Sequence, residues 1–250
     1  MPRTQRPRTL TAVIAAGLIA ANLTVGCNIA EAAKAKCGAV GNFYAGATSA
    51  FATSTYGVRA DVETNRPALC NASGGSPSVS SAWVMLLPNN AAYYAQAGYA
   101  KVGLGNSQYN NGFHYLAQYK TPSGSRPTFI SGDPGTTTHT YAVYLRASDD
   151  RIHMTRDGVN LLTLNYDTTG TWSTSWGGEF SGEAFHKQSD VPGTATDRTR
   201  FNYIQRYLGN GGIDFVTTLN GFTQPSSRYH RHKGAAQVGG QYLDVWTDPL

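Results

Sequence analysis

Short apolar runs interleaved with polar residues dominate this chain and favour β-strands over helices. The runs are rich in Val, Ile, Thr and Tyr, and Gly, Pro, Asn or Asp separates most of them. Outside the first 32 residues, a helical period is visible only near residues 46–52. The pattern predicts strands at residues 57–64, 79–87, 94–102, 113–120, 128–130, 139–147, 151–156, 159–166, 175–185, 199–207, 215–219 and 242–247.

Two turn sequences predict how some of these strands connect. Residues 148–150 (Ser-Asp-Asp) lie between two predicted strands, and Asp157-Gly158 precedes the next one. Asp-Gly accepts the positive φ angles that tight hairpins need, so we expect a three-stranded meander over residues 139–166. The strand content and the absence of a fixed-period repeat predict an all-β fold, an antiparallel β-sandwich of the jelly-roll, concanavalin-like type.

The first 32 residues have the three parts of a secretory signal peptide. Arginines come first, an uncharged apolar stretch follows at residues 10–26, and a small-residue site follows at residues 30–32 (Ala-Glu-Ala). A membrane-spanning helix is the alternative, but it needs about 20 apolar residues. We therefore expect cleavage after residue 32, a secreted, extracellular protein, and no membrane attachment of the mature chain.

The expected secretion also determines how the cysteines are interpreted. Cleavage leaves Cys37 and Cys70, which we expect to form a disulfide in an oxidising environment. Cys27 raises the alternative of a lipoprotein signal, which the Ala-Glu-Ala site disfavours. Residues 33–78 are predicted to be an N-terminal extension that the disulfide ties together, and they are a candidate propeptide. Residues 79–250 are predicted to form the sandwich domain.

Charge argues against nucleic acid as a partner. The formal net charge of the chain is +5, and it falls to +3 in the mature protein because three arginines and Glu31 leave. This surplus is small, and no Lys/Arg stripe with interleaved aromatic residues is present. The one basic cluster, residues 228–233, is interpreted as a solvated loop, with a metal or anion site as the alternative. No Cys/His group has zinc-site spacing, so we expect neither a metal nor a cofactor.

Glu179 and Glu183 are the main candidates for chemistry. They lie four residues apart within residues 176–185, and on a strand both side chains would point to the same face. Acidic residues are poorly suited to strands and are seldom buried without a partner. The pair therefore marks either a solvated sheet edge or a functional site.

Four segments follow one another in an order known from secreted glutamic peptidases. They are residues 81–86 (Ser-Ala-Trp-Val-Met-Leu), 94–99 (Tyr-Ala-Gln-Ala-Gly-Tyr), 113–119 (Phe-His-Tyr-Leu-Ala-Gln-Tyr) and 178–183 (Gly-Glu-Phe-Ser-Gly-Glu). Through these segments the chain distantly resembles the eqolisin and neprosin types of glutamic peptidase, which are β-sandwich proteins.

The resemblance implies a catalytic pair. It puts Gln96 at the catalytic glutamine of eqolisins, Glu183 at their catalytic glutamate, and Glu179 at the glutamate that precedes it. Residues 180–182 (Phe-Ser-Gly) replace the bulkier Trp-Ile-Val of eqolisins. Such a carboxylate takes a proton from water and returns it to the leaving amine, while the amide stabilises the oxyanion. An acid pH optimum is also implied.

Glu179 and further polar and aromatic residues are candidates for substrate binding. Gln118 shares strand parity with His114 and Leu116, so it either lines the same face as Gln96 or makes a cross-strand hydrogen bond. Aromatic residues could form a platform for a peptide or a sugar, or could belong to the core. These aromatic candidates are Tyr93, Tyr94, Tyr115, Trp172 and Trp176.

The favoured function is a secreted glutamic-type endopeptidase, a monomer acting on extracellular proteins or peptides. The alternative is a secreted, lectin-like carbohydrate-binding module without catalysis, whose partner would be a polysaccharide. A glycosidase ranks third, because Glu179 and Glu183 would be roughly 13 Å apart at Cα on one strand. A serine hydrolase is disfavoured because Gly-x-Ser-x-Gly is absent.

Overall fold

The computed structural model of the protein describes residues 36–38, 40–50, 52, 55–71, 78–88, 93–103, 112–121, 124–164, 176–209, 211–223 and 227–248. The predicted signal peptide, Cys27 and Trp172 lie outside these residues. Within them, no helix is long and apolar enough to cross a membrane.

The described chain is built from β-strands, which confirms the predicted fold class. Their bounds are β1 Val40–Ser49, β2 Thr55–Glu63, β3 Val79–Pro88, β4 Tyr94–Val102, β5 Gly112–Thr121, β6 Gly124–Ile130, β7 Thr138–Arg146, β8 Arg151–Arg156, β9 Val159–Thr163, β10 Trp176–His186, β11 Thr199–Leu208, β12 Ile213–Phe215, β13 Leu219–Thr223, β14 Tyr229–Ala235 and β15 Gln241–Thr247.

Two antiparallel sheets pack face to face. The front sheet has the strand order β13-β1-β10-β3-β4-β5-β6, and the back sheet has the order β14-β15-β11-β2-β7-β8-β9, with β12 beside β11. Every second residue of a strand points between the sheets, where apolar burial stabilises the sandwich. The large, fully buried side chains of this core are Leu86, Tyr99, Tyr141, Ile152, Met154, Leu164, Phe180, Phe201, Ile204 and Leu219.

The meander predicted from the turns is present as β7, β8 and β9, which pair in chain order. Asp157 and Gly158 have φ angles of 49° and 76°, as a tight hairpin of mirror-image type requires. His139 Nδ1 lies 2.7 Å from an Asp157 carboxylate oxygen, and His153 Nε2 lies 3.0 Å from Asp149. These contacts tie both turns to the sheet.

The prediction that residues 33–78 form an extension outside the sandwich is wrong. β1 lies between β10 and β13 in the front sheet, and β2 lies between β11 and β7 in the back sheet. β1 was missed because its Gly and Ala residues have low strand propensity. Those small residues fit here: Ala45 and Ala47 are fully buried, and a Cβ at Gly46 would be 2.5 Å from the Phe180 carbonyl oxygen. Removing this region as a propeptide would take a strand from within each sheet.

The predicted disulfide between Cys37 and Cys70 is confirmed, with 5.0 Å between the two Cα atoms. The Cys70 sulfur lies beside the hydroxyls of Ser78 and Ser189, which are themselves hydrogen-bonded at 2.9 Å. The bond therefore joins the approach to β1 to a buried polar cluster. A disulfide fits an extracellular protein, as the sequence predicts.

The basic cluster at residues 228–233 is mostly strand, not the predicted loop. β14 forms the edge of the back sheet and pairs with β15. Charged side chains on an edge strand protect it from pairing with other chains, and they also conceal its strand character in the sequence. Within the described residues, the group that could hold a metal is Cys37, Cys70 and His186, and both its sulfurs are in the disulfide.

Candidate active site

The candidate site lies on the outer face of the front sheet, and strand alternation in β10 explains its position. Phe180 and Ala184 point into the core and are fully buried, so the odd-numbered residues of β10 point to the opposite face. Glu179, Ser181 and Glu183 therefore share the outer face. Residues 180–182 leave the strand regular, since the pairing of β10 with β1 and β3 is unbroken from Glu179 to Glu183.

Cross-strand register arranges the outward residues in rows. One row runs across five strands in the order Thr48, Glu179, Met85, Gln96 and Gln118. A second row, four residues away along β10, contains Tyr44, Glu183, Ser81, Ala100 and His114. The four predicted polar residues Gln96, Gln118, Glu179 and Glu183 thus share one face.

A cavity of about 510 Å³ opens on this face. Such a volume lies within the usual range for small-ligand or side-chain pockets. Its walls combine the polar residues of the two rows with an apolar surface. The lining residues are Asn42, Tyr44, Thr48, Trp83, Met85, Tyr94, Gln96, Gln118, Glu179, Glu183, Phe185 and Phe222.

Glu183 is buried among neutral hydrogen-bond donors. Only 7% of the surface of this residue is exposed to solvent. The indole Nε1 of Trp83 donates to the Glu183 carboxyl at 3.1 Å, and Tyr44 also hydrogen-bonds it. Burial raises the pKa of Glu183 to about 7, although both hydrogen bonds favour the ionised form and act in the opposite direction. Burial also raises the pKa of Tyr44, so its hydroxyl stays neutral.

Glu179 holds its proton to higher pH than Glu183. Burial and the nearby charge of Glu183 raise the pKa of Glu179 to about 8. The first proton to leave the pair therefore comes from Glu183, whose carboxylate is stabilised by Trp83 and Tyr44. Both pKa values lie near neutral pH, well above the ordinary value of 4.5, so the pair can lose and regain protons there.

The amide of Gln96 is fixed by its neighbours. Gln96 is only 3% exposed, and its Nε2 donates to the Gln118 Oε1 at 2.8 Å. Gln118 Nε2 in turn donates to the Tyr94 hydroxyl at 3.0 Å. The cross-strand hydrogen bond considered for Gln118 is therefore present, and Gln118 and Tyr94 both line the cavity as well.

The register decides which glutamate is nearer to Gln96 along the sheet. Gln96 and Glu179 occupy one row with β3 between them, which corresponds to about 10 Å between Cα atoms at two interstrand spacings. Glu183 lies four residues farther along β10, a further displacement of roughly 13 Å. Two side chains from one row can meet at a common water, so the register favours Glu179 over Glu183 as the partner of Gln96.

Two predicted substrate-binding residues lie on the wrong face. Tyr115 packs in the core, where its hydroxyl accepts a hydrogen bond of 2.6 Å from Arg156. Trp176 is 4% exposed and its ring stacks on Tyr56 at 6.1 Å. Tyr93 also packs against the core cluster. Of the described aromatic candidates for the platform, only Tyr94 lines the cavity.

The residues that line one edge of this cavity were not predicted from the sequence. Tyr44 and Thr48 come from β1, and Phe222 comes from β13. From the sequence, β1 was assigned to the N-terminal extension, and the strand corresponding to β13 was predicted several residues too early, at residues 215–219. The outward alternation of Asn42, Tyr44 and Thr48 in β1 was the available signal, but the Gly and Ala residues between them obscured it.

Comparison with solved structures shows the same type of fold. Two structures of Scytalido-glutamic peptidase are similar to this chain; one was solved with a peptide-based transition state analog and one with a transition state analog inhibitor. Their TM-scores are 0.53 and 0.55 and their identities 16% and 14%, and each alignment covers 84% of this chain and all of the other. The chain has a glutamic peptidase-like β-sandwich fold.

A third structure, SCLam, a non-specific endo-beta-1,3(4)-glucanase from family GH16, has a TM-score of 0.38 and 10% identity, over 79% of this chain and 59% of that one. No family model and no curated protein match the sequence. At these identities the comparisons establish the fold alone, and the activity has to be argued from the site.

Proposed function

We propose that the protein is a secreted endopeptidase of the glutamic type, in which Glu179 and Gln96 act on a water molecule and Glu183 supports Glu179. The observation that carries the proposal is the cavity lined by the buried carboxyl of Glu183, the partly buried carboxyl of Glu179 and the fixed amide of Gln96. A buried carboxyl without a cationic partner is costly to stability and is typical of catalytic sites. The substrate is an extracellular protein or peptide.

Glu179 supplies the proton transfer. Its carboxylate takes a proton from water while the water oxygen bonds to the peptide carbonyl carbon, which gives a tetrahedral intermediate. The same carboxyl then donates that proton to the amide nitrogen as the carbon–nitrogen bond breaks. Atoms and protons balance, so the products are a free carboxylic acid and an amine, and Glu179 returns to its starting state.

Gln96 stabilises the charge that develops on the carbonyl oxygen. One N–H of its side-chain amide is used by Gln118 at 2.8 Å, and an amide NH2 group has two. Among the residues that the structure describes, the second N–H has no partner, so it can serve the oxyanion. Because Gln118 and Tyr94 fix the amide, little reorganisation is needed during the reaction.

The raised pKa values also set the expected pH dependence. A base with a pKa of about 8 is ionised in a growing fraction of molecules as pH rises, and neighbouring Glu183 ionises near pH 7. We therefore expect kcat/KM to rise between about pH 6 and pH 8. This optimum is closer to neutral than the acid optimum that the family resemblance implies.

The test is cleavage of a denatured protein and of a quenched fluorescent peptide library by the mature chain, from about pH 2 to pH 9. Glu179→Gln and Gln96→Ala should abolish or strongly reduce cleavage. Glu63→Gln is the matched control, because it removes a glutamate from β2 in the other sheet. The proposal is overturned if the folded wild type cleaves nothing in this range, or if Glu179→Gln cleaves as fast as the wild type.

The carbohydrate-binding alternative is less well supported on this face. It rested on a platform of aromatic side chains, and Tyr115 and Trp176 are in the core instead. The carboxyl pair also fits glycosidase chemistry poorly, because retaining enzymes need carboxyls about 5 Å apart. The four-residue separation along β10 corresponds to roughly 13 Å between the Cα atoms of Glu179 and Glu183.

A further inference from the structure

A second cavity, of about 340 Å³, lies on the outer face of the back sheet. It is formed by β11, by β15 and by the turn between β14 and β15. The front-sheet glutamates lie on the opposite side of the sandwich, so this cavity is separate from the candidate active site. Its lining residues are Arg200, Asn202, Tyr203, Ala235, Ala236, Gln237, Val238 and Tyr242.

Tyr203, at the rim, has a strained backbone. Its φ angle is 48°, which is rare for a bulky residue, and it lies where β11 slips against β2 between Asn202 and Gln205. The residue is also 38% exposed, although tyrosine buries a large apolar ring when it can. Strained residues and strand bulges are concentrated at ligand-binding positions. The bulge presents an aromatic ring to solvent at the mouth of the cavity.

The wall beneath Tyr203 is a rigid polar surface. Arg200 donates from Nε and Nη2 to the two carboxylate oxygens of Asp244, at 2.7 and 3.0 Å. The Arg200 guanidinium carbon also lies 4.8 Å from the centre of the Tyr242 ring. These contacts fix the guanidinium plane before any ligand arrives. The side-chain amides of Asn202 and Gln237 add donors and acceptors to the same wall.

The chemistry of the wall indicates an uncharged, hydroxyl-rich ligand. Arg200 is balanced by Asp244 and by the neighbouring charge of Glu63, so the wall offers an anion little net attraction. Amides, together with the remaining guanidinium N–H groups, can instead serve hydroxyls, which both donate and accept hydrogen bonds. An exposed aromatic ring beside such groups suits the apolar face of a sugar ring. The volume is at the lower end of small-ligand sites.

We propose that this cavity binds a sugar unit of a neutral polysaccharide, with the Tyr203 ring as the contact surface and Arg200, Asn202 and Gln237 as hydrogen-bonding partners of its hydroxyls. The neighbouring aromatic Trp246 is not the contact surface, because Arg198 and His230 cover it at 4.1 and 5.3 Å. The site holds the protein on an extracellular glycan, while the front face stays open.

The proposal is tested by retention of the purified mature chain on insoluble cellulose, xylan, mannan and chitin, with acidic alginate beads as a comparison. We expect retention on at least one neutral polysaccharide. Tyr203→Gly, which accepts the positive φ angle but lacks the ring, should weaken binding about tenfold, and Asn202→Ala should weaken it too. Tyr203→Phe should retain binding because the ring remains.

Two controls separate this site from the rest of the molecule. Tyr56→Ala removes another tyrosine that is equally exposed, at 38%, and should leave retention unchanged. Glu179→Gln should also bind as the wild type does, so that failure of the peptidase proposal leaves this result intact. The proposal is overturned if no neutral polysaccharide retains the wild type, if only alginate does, or if Tyr203→Gly binds as tightly as the wild type.

Discussion

On the outer face of the back sheet, Asp244 and Asp149 have cationic partners, whereas Glu183 on the outer face of the front sheet is held by the neutral donors Trp83 and Tyr44. Asp244 pairs with Arg200, and Asp149 pairs with Arg146 and His153. The hydrogen bond from Arg146 is the main cause that holds the pKa of Asp149 well below its usual range. Burial raises the pKa of Glu179 and Glu183 to about 8 and about 7.

Under the proposed function, this difference separates structural carboxylates from catalytic ones. An ion pair keeps a carboxylate charged at all ordinary pH values, so it cannot exchange protons during a reaction. A carboxyl held by Trp and Tyr donors can lose and regain a proton near neutral pH. Burial of Glu179 and Glu183 costs the fold stability, and a carboxyl that is buried at such a cost is typical of a catalytic site.

The largest expected effect concerns stability as a function of pH. The folded-state pKa values of Glu179 and Glu183 lie above the ordinary value of 4.5. Below about pH 4 both states are protonated, and above it the unfolded chain ionises first, so the free energy of unfolding falls as pH rises toward 8. For Glu183 alone this shift corresponds to roughly 3 kcal/mol.

Thermal unfolding of the wild type and of Glu179→Gln and Glu183→Gln, at intervals from pH 4 to pH 8, measures this effect. Each substitution should flatten the decline, since glutamine does not titrate. Glu63→Gln on the back sheet is the control for the removal of a glutamate elsewhere; burial raises the pKa of Glu63 too, so this variant should flatten the decline less than either front-face variant. An equally steep decline in both active-site variants contradicts the account of the front face.

A smaller loss of folding stability is expected when an ion pair on the outer face of the back sheet is broken. Asp244 is 2% exposed, and Asp244→Asn leaves Arg200 without its bidentate carboxylate. We expect destabilisation of about 2 kcal/mol, less than for a fully buried pair because the Arg200 side chain is 46% exposed. Chemical denaturation at pH 7 measures it. An unchanged midpoint contradicts the structural role of the pair.

Gln118 provides a test of positioning on the front face. Gln118→Leu removes the acceptor that holds the Gln96 amide. We expect kcat on a peptide substrate to fall about tenfold with little change in KM, because the loosened amide mainly affects the transition state. Gln118→Glu keeps an acceptor at that position and should restore most of the rate. An equal rate for the Leu variant contradicts the role of the hydrogen-bonded chain.

The smallest expected effect is a shift in the pKa of Glu183 when its hydrogen-bond donor is removed. Trp83→Phe keeps an aromatic ring but removes the indole N–H that donates to the carboxyl. The pKa of Glu183 should then rise by about one unit or less, because a hydrogen bond favouring the charged form is lost. The acid limb of kcat/KM should move to higher pH. A shift to lower pH is inconsistent with this contact.

Local rules predicted much of the fold. The Asp157-Gly158 turn identified the meander, and period-two alternation put Glu179 and Glu183 on one face of β10. Tyr115 lies three residues from Gln118, and Trp176 three from Glu179, so their odd separations already placed them on opposite faces. Those two assignments to the site neglected parity.

The features that were not predicted, strand β1 and the register between strands, depend on tertiary contacts. β1 is a strand because its small residues fit against β10 and β13, and no local propensity reports such a fit. The register between strands is likewise invisible in one sequence. Only the pairing of β10, β3 and β4 puts Gln96 in the row of Glu179, whereas the family resemblance had pointed to Glu183.

The most direct test of the front-face assignment is a carboxyl 13C NMR titration of the mature chain labelled at glutamate. From residue 33 onward, the range expected for the mature chain, the glutamates are Glu63, Glu179 and Glu183, so the spectrum is simple, and the Gln variants assign it. The account predicts that Glu183 titrates near pH 7 and Glu179 near pH 8. Titration of both at about pH 4.5, as in an unstructured peptide, contradicts it.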